Sequence, residues 1–350
     1  MLVDEGWAIR ERRGPACQGR TGYGRIGGYA GLHAAMSMGP RNTDMALIPA
    51  STFWMGSDDH YPEEAPARPV ATGAFLIDRA PVTNAEFARF VAAAGYLTVA
   101  ERDLDADAYP DADPGLLEPG SAVFTPPDRP APPTDPFLWW SYVAGASWRH
   151  PLGPGSDVAG LQDHPVVHVA YEDALAFAAW AAKRLPTEAE WECAARGGLD
   201  RAPYAWGEEL APDGRLRANY WQGAFPHENR KAGGFRTSPV GAFPANGFGL
   251  HDMIGNVWEW TSDWYAQPER AEIKPCCAPK TPRGGSEAAS RDPSDPGRAF
   301  GRKVLKGGSH LCAENYCQRY RPAARYPQTI DTSTSHIGFR CARSIDPGQD

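Results

Sequence analysis

Residues 163–198, with the sequence "DHPVVHVAYEDALAFAAWAAKRLPTEAEWECAARGG", predict a short strand followed by two helices. The apolar run 166–169 predicts the strand. The first helix follows directly, and we expect its core-facing side to carry the apolar residues that recur at helical spacing. These residues are Leu175, Ala178, Ala179 and Ala182.

A proline and two capping boxes set the limits of the helices. Pro186 breaks the first helix, and the second begins at Thr187, which has capping-box spacing to Glu190. Thr83 and Glu86 have the same spacing at the start of an upstream helix. We expect the upstream helix to bury one apolar face, formed by Phe87, Phe90 and Val91. A glycine predicts the end of each capped helix, Gly95 and Gly197 respectively.

Two segments before the upstream helix predict strands. Residues 45–57, "MALIPASTFWMGS", alternate apolar and polar side chains, and residues 68–82, "RPVATGAFLIDRAPV", have a similar pattern. Residues 103–137 are rich in Asp and Pro and predict a solvated acidic loop. The chain has 37 Gly and 34 Pro but also 12 Trp, so it predicts a folded protein with long loops.

Charge and hydropathy exclude several classes of protein. The net charge of -8, without a basic stripe, argues against a nucleic-acid-binding protein. No apolar run approaches the roughly 18 residues that span a bilayer. Residues 1–44 are Gly- and Arg-rich, lack the apolar core of a secretory signal and predict a disordered tail. We therefore expect a cytoplasmic protein.

Two of the seven cysteines, Cys312 and Cys317, lie five residues apart. On a helix this offset separates two side chains by about 140°, and on a strand it puts them on opposite faces, so they converge only if the chain turns between them. A turn permits a disulfide and also a site with two thiolate ligands. Zinc usually takes four ligands, and the sequence has no CxxC, whereas monovalent copper accepts two.

Residues 246–265, "NGFGLHDMIGNVWEWTSDWY", contain two carboxylates seven residues apart, Asp252 and Glu259. Gly255 and Asn256 predict a tight turn between them. Such a loop can wrap a hard cation with carboxylate and carbonyl oxygens. The other interpretation is a pair of carboxylates that accept hydrogen bonds from backbone amides.

Taken in order, these segments resemble the formylglycine-generating enzymes of the sulfatase-modifying factor family. The motifs that carry the resemblance are "IPASTFWMGSDD", "EEAPARPV", "GASWRHPLGP", residues 163–198, "YAWGEEL", "NYWQGAFP", residues 246–265, "KGGSHLC" and "HIGFRCAR". The resemblance implies one α+β domain over residues 45–343, similar in outline to C-type lectins, with low regular secondary structure. Residues 344–350 would then be a short C-terminal tail.

The resemblance also implies an oxidoreductase activity. A cysteine within a Cys-x-Pro-x-Arg motif of an unfolded sulfatase would be oxidised with O2 to Cα-formylglycine. Cys312 and Cys317 would bind Cu(I), and the substrate cysteine would supply a third sulfur. Ser309 and Trp258 would line the oxygen pocket. The peptide groove would contain Trp139, Tyr316, Arg325, Ser333 and His336.

Calcium is the second metal that the resemblance implies. The ligands of one ion would be Asp252, Gly255, Val257 and Glu259. A second site maps to Asn219, Tyr220, Gly233 and Phe235, where Gly233 stands in place of the family's acidic ligand. Related secreted enzymes carry disulfides, and here Cys341 lacks its counterpart, which agrees with a cytoplasmic protein. We expect the protein to be a monomer. Cys276 and Cys277 are interpreted as thiols in a Pro-rich loop.

A non-catalytic module is the alternative function. Lectin-like relatives act as calcium-stabilised binding or scaffold modules, and such a module has no need of Cys312 and Cys317. Copper bound in stoichiometric amount would distinguish the oxidase from the module.

Overall fold

The structure is a computed structural model that describes residues 44–109, 116–132, 134–231, 234–268, 278–280, 282–295 and 300–345. Most of the predicted N-terminal tail lies outside the described residues, as do Cys276 and Cys277. The strands of the described part are β1 Met45–Ile48, β2 Ser51–Met55, β3 Arg68–Thr72, β4 Phe75–Asp78, β5 Gly120–Phe124, β6 Trp140–Ala144, β7 Trp258–Trp264, β8 Arg302–Lys306, β9 Arg325–Thr329, β10 Ile337–Gly338 and β11 Ala342–Ser344. Its α-helices are α1 Asn84–Ala94, α2 Tyr171–Trp180, α3 Glu188–Arg196 and α4 Glu287–Ser290.

The strands form several small sheets. The largest has the order β10-β7-β8-β9, in which β7, β8 and β9 are antiparallel and β10 pairs in parallel with β7. A second sheet has the order β1-β4-β11, so a strand from the end of the domain pairs with one near its beginning. Two antiparallel pairs, β2-β3 and β5-β6, complete the architecture. Short strands joined by long loops give the low regular content that the sequence predicts.

The two capped helices are confirmed. Thr83 caps α1 and Thr187 caps α3, each with a complete capping box. Both helices end at a glycine in the left-handed conformation, as predicted. The buried face of α1 includes Phe87, and this ring contacts Trp148 at 5.3 Å and Phe339 at 6.4 Å between centroids. Helix α1 therefore anchors the main hydrophobic core.

Three predictions about local structure are wrong. Residues 166–169 form no strand, because His168 adopts a φ of +59°, which an extended strand does not allow. The predicted loop 103–137 contains the buried strand β5. Helix α2 turns a different face to the core: its buried residues are Asp173, Ala174, Phe177 and Ala178, whereas Leu175, Ala179 and Ala182 are exposed. Phe177 decides this orientation, because its large ring packs on Phe87.

Ion pairs are buried beside the core, around α3. Lys306, at the end of β8, donates to Glu192 at 2.8 Å, and Arg196 pairs with the same carboxylate at 2.7 Å. The two cations hold the pKa of Glu192 at about 2, although burial acts in the opposite direction. These pairs fix the end of β8, and the segment that contains Cys312 and Cys317 follows β8 in the chain. Within the described chain, no helix has the length and apolar character of a membrane span.

Candidate active site

Two thiols lie on the wall of one pocket. The segment from Ser309 to Cys317 leaves β8 through Gly307 and Gly308, which adopt φ values of +92° and +70°. A Cβ atom on Gly308 would lie 2.4 Å from the carbonyl oxygen of Arg319, so this close approach requires glycine. Cys312 is 1% exposed, whereas Cys317 is half-buried. The chain therefore turns between the two cysteines, as their convergence requires.

Backbone hydrogen bonds hold Cys312 in place. Its amide donates to the carbonyl oxygen of Ser309 at 3.0 Å, and its carbonyl oxygen accepts from the amide of Trp221 at 2.9 Å. The amide of Ser309 donates to Sγ of Cys312 at 3.4 Å. The sulfur is thus oriented by its own turn. The hydroxyl of Ser309 accepts from the amide of Leu311 at 3.2 Å, which closes the same turn.

A loop from the start of the domain covers the other cysteine. The hydroxyl oxygen of Tyr61 accepts from the amide of Gln318 at 3.2 Å, next to Cys317. Burial raises the pKa of Tyr61, and the nearby Cys317 sulfur raises it further. Arg319 also lines the pocket, pairs with a carboxylate of this loop, that of Glu63, at 2.7 Å, and stacks on the ring of Tyr61 at 4.3 Å.

Aromatic rings form the rest of the pocket wall. Trp258 begins β7 and lies 6.0 Å from the ring of Tyr326. Tyr316 stacks on Phe225 at 4.4 Å with an interplanar angle of 7°. Trp140 lies 4.8 Å from the imidazole of His336. These rings give the pocket beside the two thiols a largely aromatic wall.

His336 is a neutral group on this wall. Burial lowers the pKa of His336 well below its ordinary value, and His310 and His168 lower it further. Its backbone carbonyl accepts from the amide of Trp258 at 2.9 Å, and its Nδ1 lies 3.2 Å from the hydroxyl of Thr334. The imidazole is therefore available at neutral pH as a hydrogen-bonding group without charge.

Six of the predicted catalytic and substrate-binding residues come together at the pocket. They are Trp258, Ser309, Cys312, Tyr316, Cys317 and His336. Trp139 is 1% exposed and packs edge-on against Tyr316, behind the wall. Ser333 is buried and bonds to the hydroxyl of Ser121 at 2.8 Å. Arg325 is buried away from the lining and forms two bonds to Glu188, at 2.7 and 3.0 Å.

Several lining residues escaped the sequence analysis. Trp140, Arg319, Tyr326, Gln328 and Thr334 line the pocket, and Tyr61 accepts from Gln318, next to Cys317. Trp140 follows Trp139 directly in the sequence. The sequence analysis named Trp139, whereas the ring of Trp140 lines the pocket. Tyr61 lies more than 250 positions from Gln318. The sequence offers one signal for this contact: acidic residues lie close to Tyr61, and arginines follow Cys317.

Cys312 and Cys317 suit monovalent copper. Both are thiols, one buried and one half-buried, on the wall of the same pocket. Soft sulfur ligands select Cu(I), which accepts low coordination. In the part of the chain that the structure describes, no three His, Cys, Asp or Glu side chains converge on a metal position. A tetrahedral zinc site is therefore not formed by the described residues.

The first predicted calcium loop contains a buried ion pair. Both oxygens of Glu259 accept from the guanidinium of Arg340 at 2.7 Å, and Oε2 also accepts from the indole of Trp191 at 2.8 Å. Asp252 accepts from the amide of Gly241 at 2.8 Å, and burial raises its pKa. Lone pairs remain on both carboxylates, so the oxygen set suits a hard cation that shares Glu259 with Arg340.

The second predicted calcium position contains a lysine. The ammonium of Lys231 donates to Oδ1 of Asn219 at 2.6 Å and to the carbonyl oxygen of Arg236 at 3.1 Å. Burial lowers the pKa of Lys231 to about 8, so the amine is mainly charged at neutral pH. Tyr220 and Phe235 pack in aromatic contacts, and Gly233 lies outside the described residues. A calcium ion does not fit beside this ammonium, because the two cations would repel each other and the oxygens of Asn219 and Arg236 that contact Nζ carry no negative charge to offset the repulsion.

The chain is similar to known proteins over most of its length. Residues 33–345 match the model of the sulfatase-modifying factor enzyme 1-like domain. A formylglycine-generating enzyme from Mycobacterium tuberculosis is 54% identical and covers 85% of this chain and 97% of its own. An inactive C-alpha-formylglycine-generating enzyme 2 from Bos taurus is 36% identical, with coverage of 86% and 88%.

A solved structure shares the fold. PvdO from Pseudomonas aeruginosa matches with a TM-score of 0.56 and 24% identity, and the match covers 86% of this chain and 94% of that one. At this level of identity, the likeness concerns the fold alone. The predicted single α+β domain is confirmed.

Proposed function

The chain belongs to the family of sulfatase-modifying factor enzymes, and we propose that it oxidises a cysteine of unfolded sulfatases to Cα-formylglycine. The target cysteine lies in a Cys-x-Pro-x-Arg motif, and O2 is the oxidant. The observation that carries this proposal is the presence of Cys312 and Cys317 on the wall of one pocket. Family membership alone is insufficient, because one relative in the same family is named inactive.

The position of the thiols supports an unfolded polypeptide as the substrate. Cys312 is 1% exposed, so a cysteine on a folded surface could not reach its sulfur. An extended peptide can insert a side chain between the aromatic rings of Tyr316 and Trp258, which line the pocket. His336 contributes a neutral hydrogen-bonding group to a peptide bound there. The guanidinium of Arg319, which is paired with Glu63, contributes a polar group to the same wall.

Cys312 and Cys317 would hold Cu(I), which would supply the one-electron chemistry that O2 requires. The residues of the pocket bind the peptide, orient its cysteine and limit the access of water. Conversion of the cysteine side chain to an aldehyde with O2 releases sulfide and water. The balance requires two electrons and two protons, so a reductant is a further partner of the reaction.

The decisive experiment measures the aldehyde. The protein is loaded with Cu(I) and incubated under O2 and a thiol reductant with a Leu-Cys-Thr-Pro-Ser-Arg peptide, and the product is identified by mass spectrometry. We expect wild type to form the aldehyde, and Cys312→Ser and Cys317→Ser to retain below about 1% of its activity. Serine replaces a soft ligand with a hard one.

Cys193→Ser is the matched control for these variants. Cys193 is also a buried thiol, but it bonds to Ser51 and Thr72 and does not line the pocket. It should retain activity per folded molecule. Wild-type turnover in Cys312→Ser, or a copper-loaded wild type that leaves the peptide unchanged, would contradict the proposal.

The alternative is a non-catalytic binding module, which the inactive relative favours. Such a module would hold no stoichiometric copper after loading and removal of excess metal. The oxidase should hold about one equivalent, which both cysteine variants lose. We also propose one calcium ion at Asp252, Gly255, Val257 and Glu259, and a cytoplasmic monomer as the working form.

A further inference from the structure

We propose that the ammonium of Lys231 replaces a metal ion at the second predicted calcium position. Its Nζ atom lies 2.6 Å from Oδ1 of Asn219 and 3.1 Å from the carbonyl oxygen of Arg236. Oxygen atoms of this kind are typical calcium ligands. The inference concerns cation binding and stability, and it does not depend on the proposed activity.

The orientation of Asn219 supports this assignment. Its side chain is buried, and Nδ2 donates to three acceptors at 3.2 Å each: Arg236 O, Ser238 Oγ and Asn256 Oδ1. Because these acceptors surround the nitrogen, the amide cannot be flipped without loss of hydrogen bonds. Oδ1 is consequently directed at the place where a cation belongs, and Lys231 supplies the positive charge there.

The charges around the position disfavour a divalent ion. The sequence has Gly233 where the resemblance implies an acidic ligand. Calcium sites gain affinity from ligand charge, and here the oxygens in contact with Nζ belong to an amide and a carbonyl group, which are neutral. A surface cavity lined by Asn219, Tyr220 and Lys231 reaches the position, so access does not prevent an ion from binding.

The cation position is linked to the thiol segment. Asn219 contacts Asn256, and the carbonyl oxygen of Asn256 accepts from the amide of His310 at 3.0 Å and lies 2.7 Å from its Nδ1. Two residues after Asn219, the amide of Trp221 donates to the carbonyl oxygen of Cys312 at 2.9 Å. The Lys231 ammonium therefore stabilises the backbone that holds Cys312, as a structural ion would.

The test compares calcium content and thermal stability among three variants. Lys231→Met removes the charge, and the double variant Lys231→Met/Gly233→Asp also restores an acidic ligand. Arg230→Met is the matched control, since Arg230 is adjacent but its side chain is 72% exposed in a pair with Glu228. Calcium equivalents per chain are measured after dialysis, and any ion at Asp252 and Glu259 is common to all proteins.

We expect Lys231→Met to melt about 3 to 6 °C below wild type, and Arg230→Met to melt as wild type does. The double variant should hold one more calcium equivalent than wild type, and calcium should restore its melting temperature. The proposal is overturned if wild type holds as much calcium as the double variant, if the double variant gains none, or if Lys231→Met melts like Arg230→Met.

If the double variant does not fold, a second measurement still tests the proposal. Terbium luminescence, excited through Tyr220 and Trp221, reports a cation at this position in wild type and in Lys231→Met. Because an ion at Asp252 and Glu259 would emit equally in both proteins, stronger emission at low terbium concentration from Lys231→Met than from wild type supports the proposal. Equal emission from both proteins overturns it.

Discussion

Two regions were predicted to bind metals: the carboxylate loop, residues 252–259, and the thiol segment, residues 309–317. Their potential ligands have different surroundings in the structure. In the carboxylate loop, Glu259 is fully buried and both its oxygens are bonded to Arg340. In the thiol segment, Cys312 and Cys317 line a pocket, and Cys317 is half-buried. The carboxylate of Glu259 is already paired with a cation of the protein, whereas the two thiols lie on a pocket wall that a ligand can reach.

The two regions therefore differ in role: the carboxylate loop contributes to stability, and the thiol segment serves the proposed chemistry. A buried carboxylate that is already paired with a guanidinium contributes to folding, because removal of either partner leaves an uncompensated charge. A half-buried thiol such as Cys317 contributes little to folding and is available for binding. A residue type that can bind a metal therefore does not by itself predict a metal site, because the same side chain can be paired with another residue of the protein.

The largest expected effect is the loss of Arg340. Arg340→Met leaves Glu259 buried without its cation and also removes bonds to the carbonyl oxygens of His251 and Asp252. We expect the free energy of unfolding to fall by about 3 to 5 kcal/mol, measured by urea denaturation. The folded fraction should still bind copper in full, because Arg340 does not line the pocket.

Arg230→Met is the control for this prediction, since it breaks a salt bridge that is exposed to solvent. It should unfold at the same urea concentration as wild type. If Arg340→Met were as stable as wild type, the carboxylate loop would not act as a structural ion pair, and the contrast with the thiol segment would fail.

Calcium removal should have a smaller effect than the loss of Arg340. Asp252 and Glu259 retain protein partners when the ion is absent, so chelation with EGTA should lower the melting temperature by only about 2 to 4 °C. Copper stoichiometry should not change. An unchanged melting temperature would exclude calcium from the carboxylate loop, and a loss of copper would show that the two regions are coupled.

Local signals in the sequence predicted the fold well where one residue type decides the conformation. The capping boxes at Thr83 and Thr187 predicted both helix starts. The buried face of helix α2 was harder to predict, because the helix is rich in alanine and has no clear apolar stripe. Its orientation depends on Phe177, which packs on a ring from α1. The predicted strand at 166–169 failed because His168 is held by Ser121 and Pro151, far away in sequence.

The candidate site was predictable in part for the same reason. Cys312 and Ser309 form one local turn, and their association follows from short spacing. Tyr61 and Arg319 meet only after the whole chain has folded, so spacing offers no guide to them. Arg325, predicted to bind peptide, forms a buried pair with Glu188, and its role toward a peptide stays a prediction. A single sequence cannot distinguish an arginine that faces substrate from one that neutralises a carboxylate.

The smallest expected change in stability is the sharpest test of the comparison. Cys317→Ala removes one half-buried sulfur, so the free energy of unfolding should change by less than about 1 kcal/mol while copper binding is lost. Cys193→Ala should behave in the opposite way. Cys193 is 3% exposed and bonds to the hydroxyls of Ser51 and Thr72, so its removal should cost about 1 to 2 kcal/mol and leave copper binding intact. Urea denaturation and copper analysis of the two variants would then give crossed results. If Cys317→Ala were the less stable variant, the thiol segment would be structural in the same sense as the carboxylate loop.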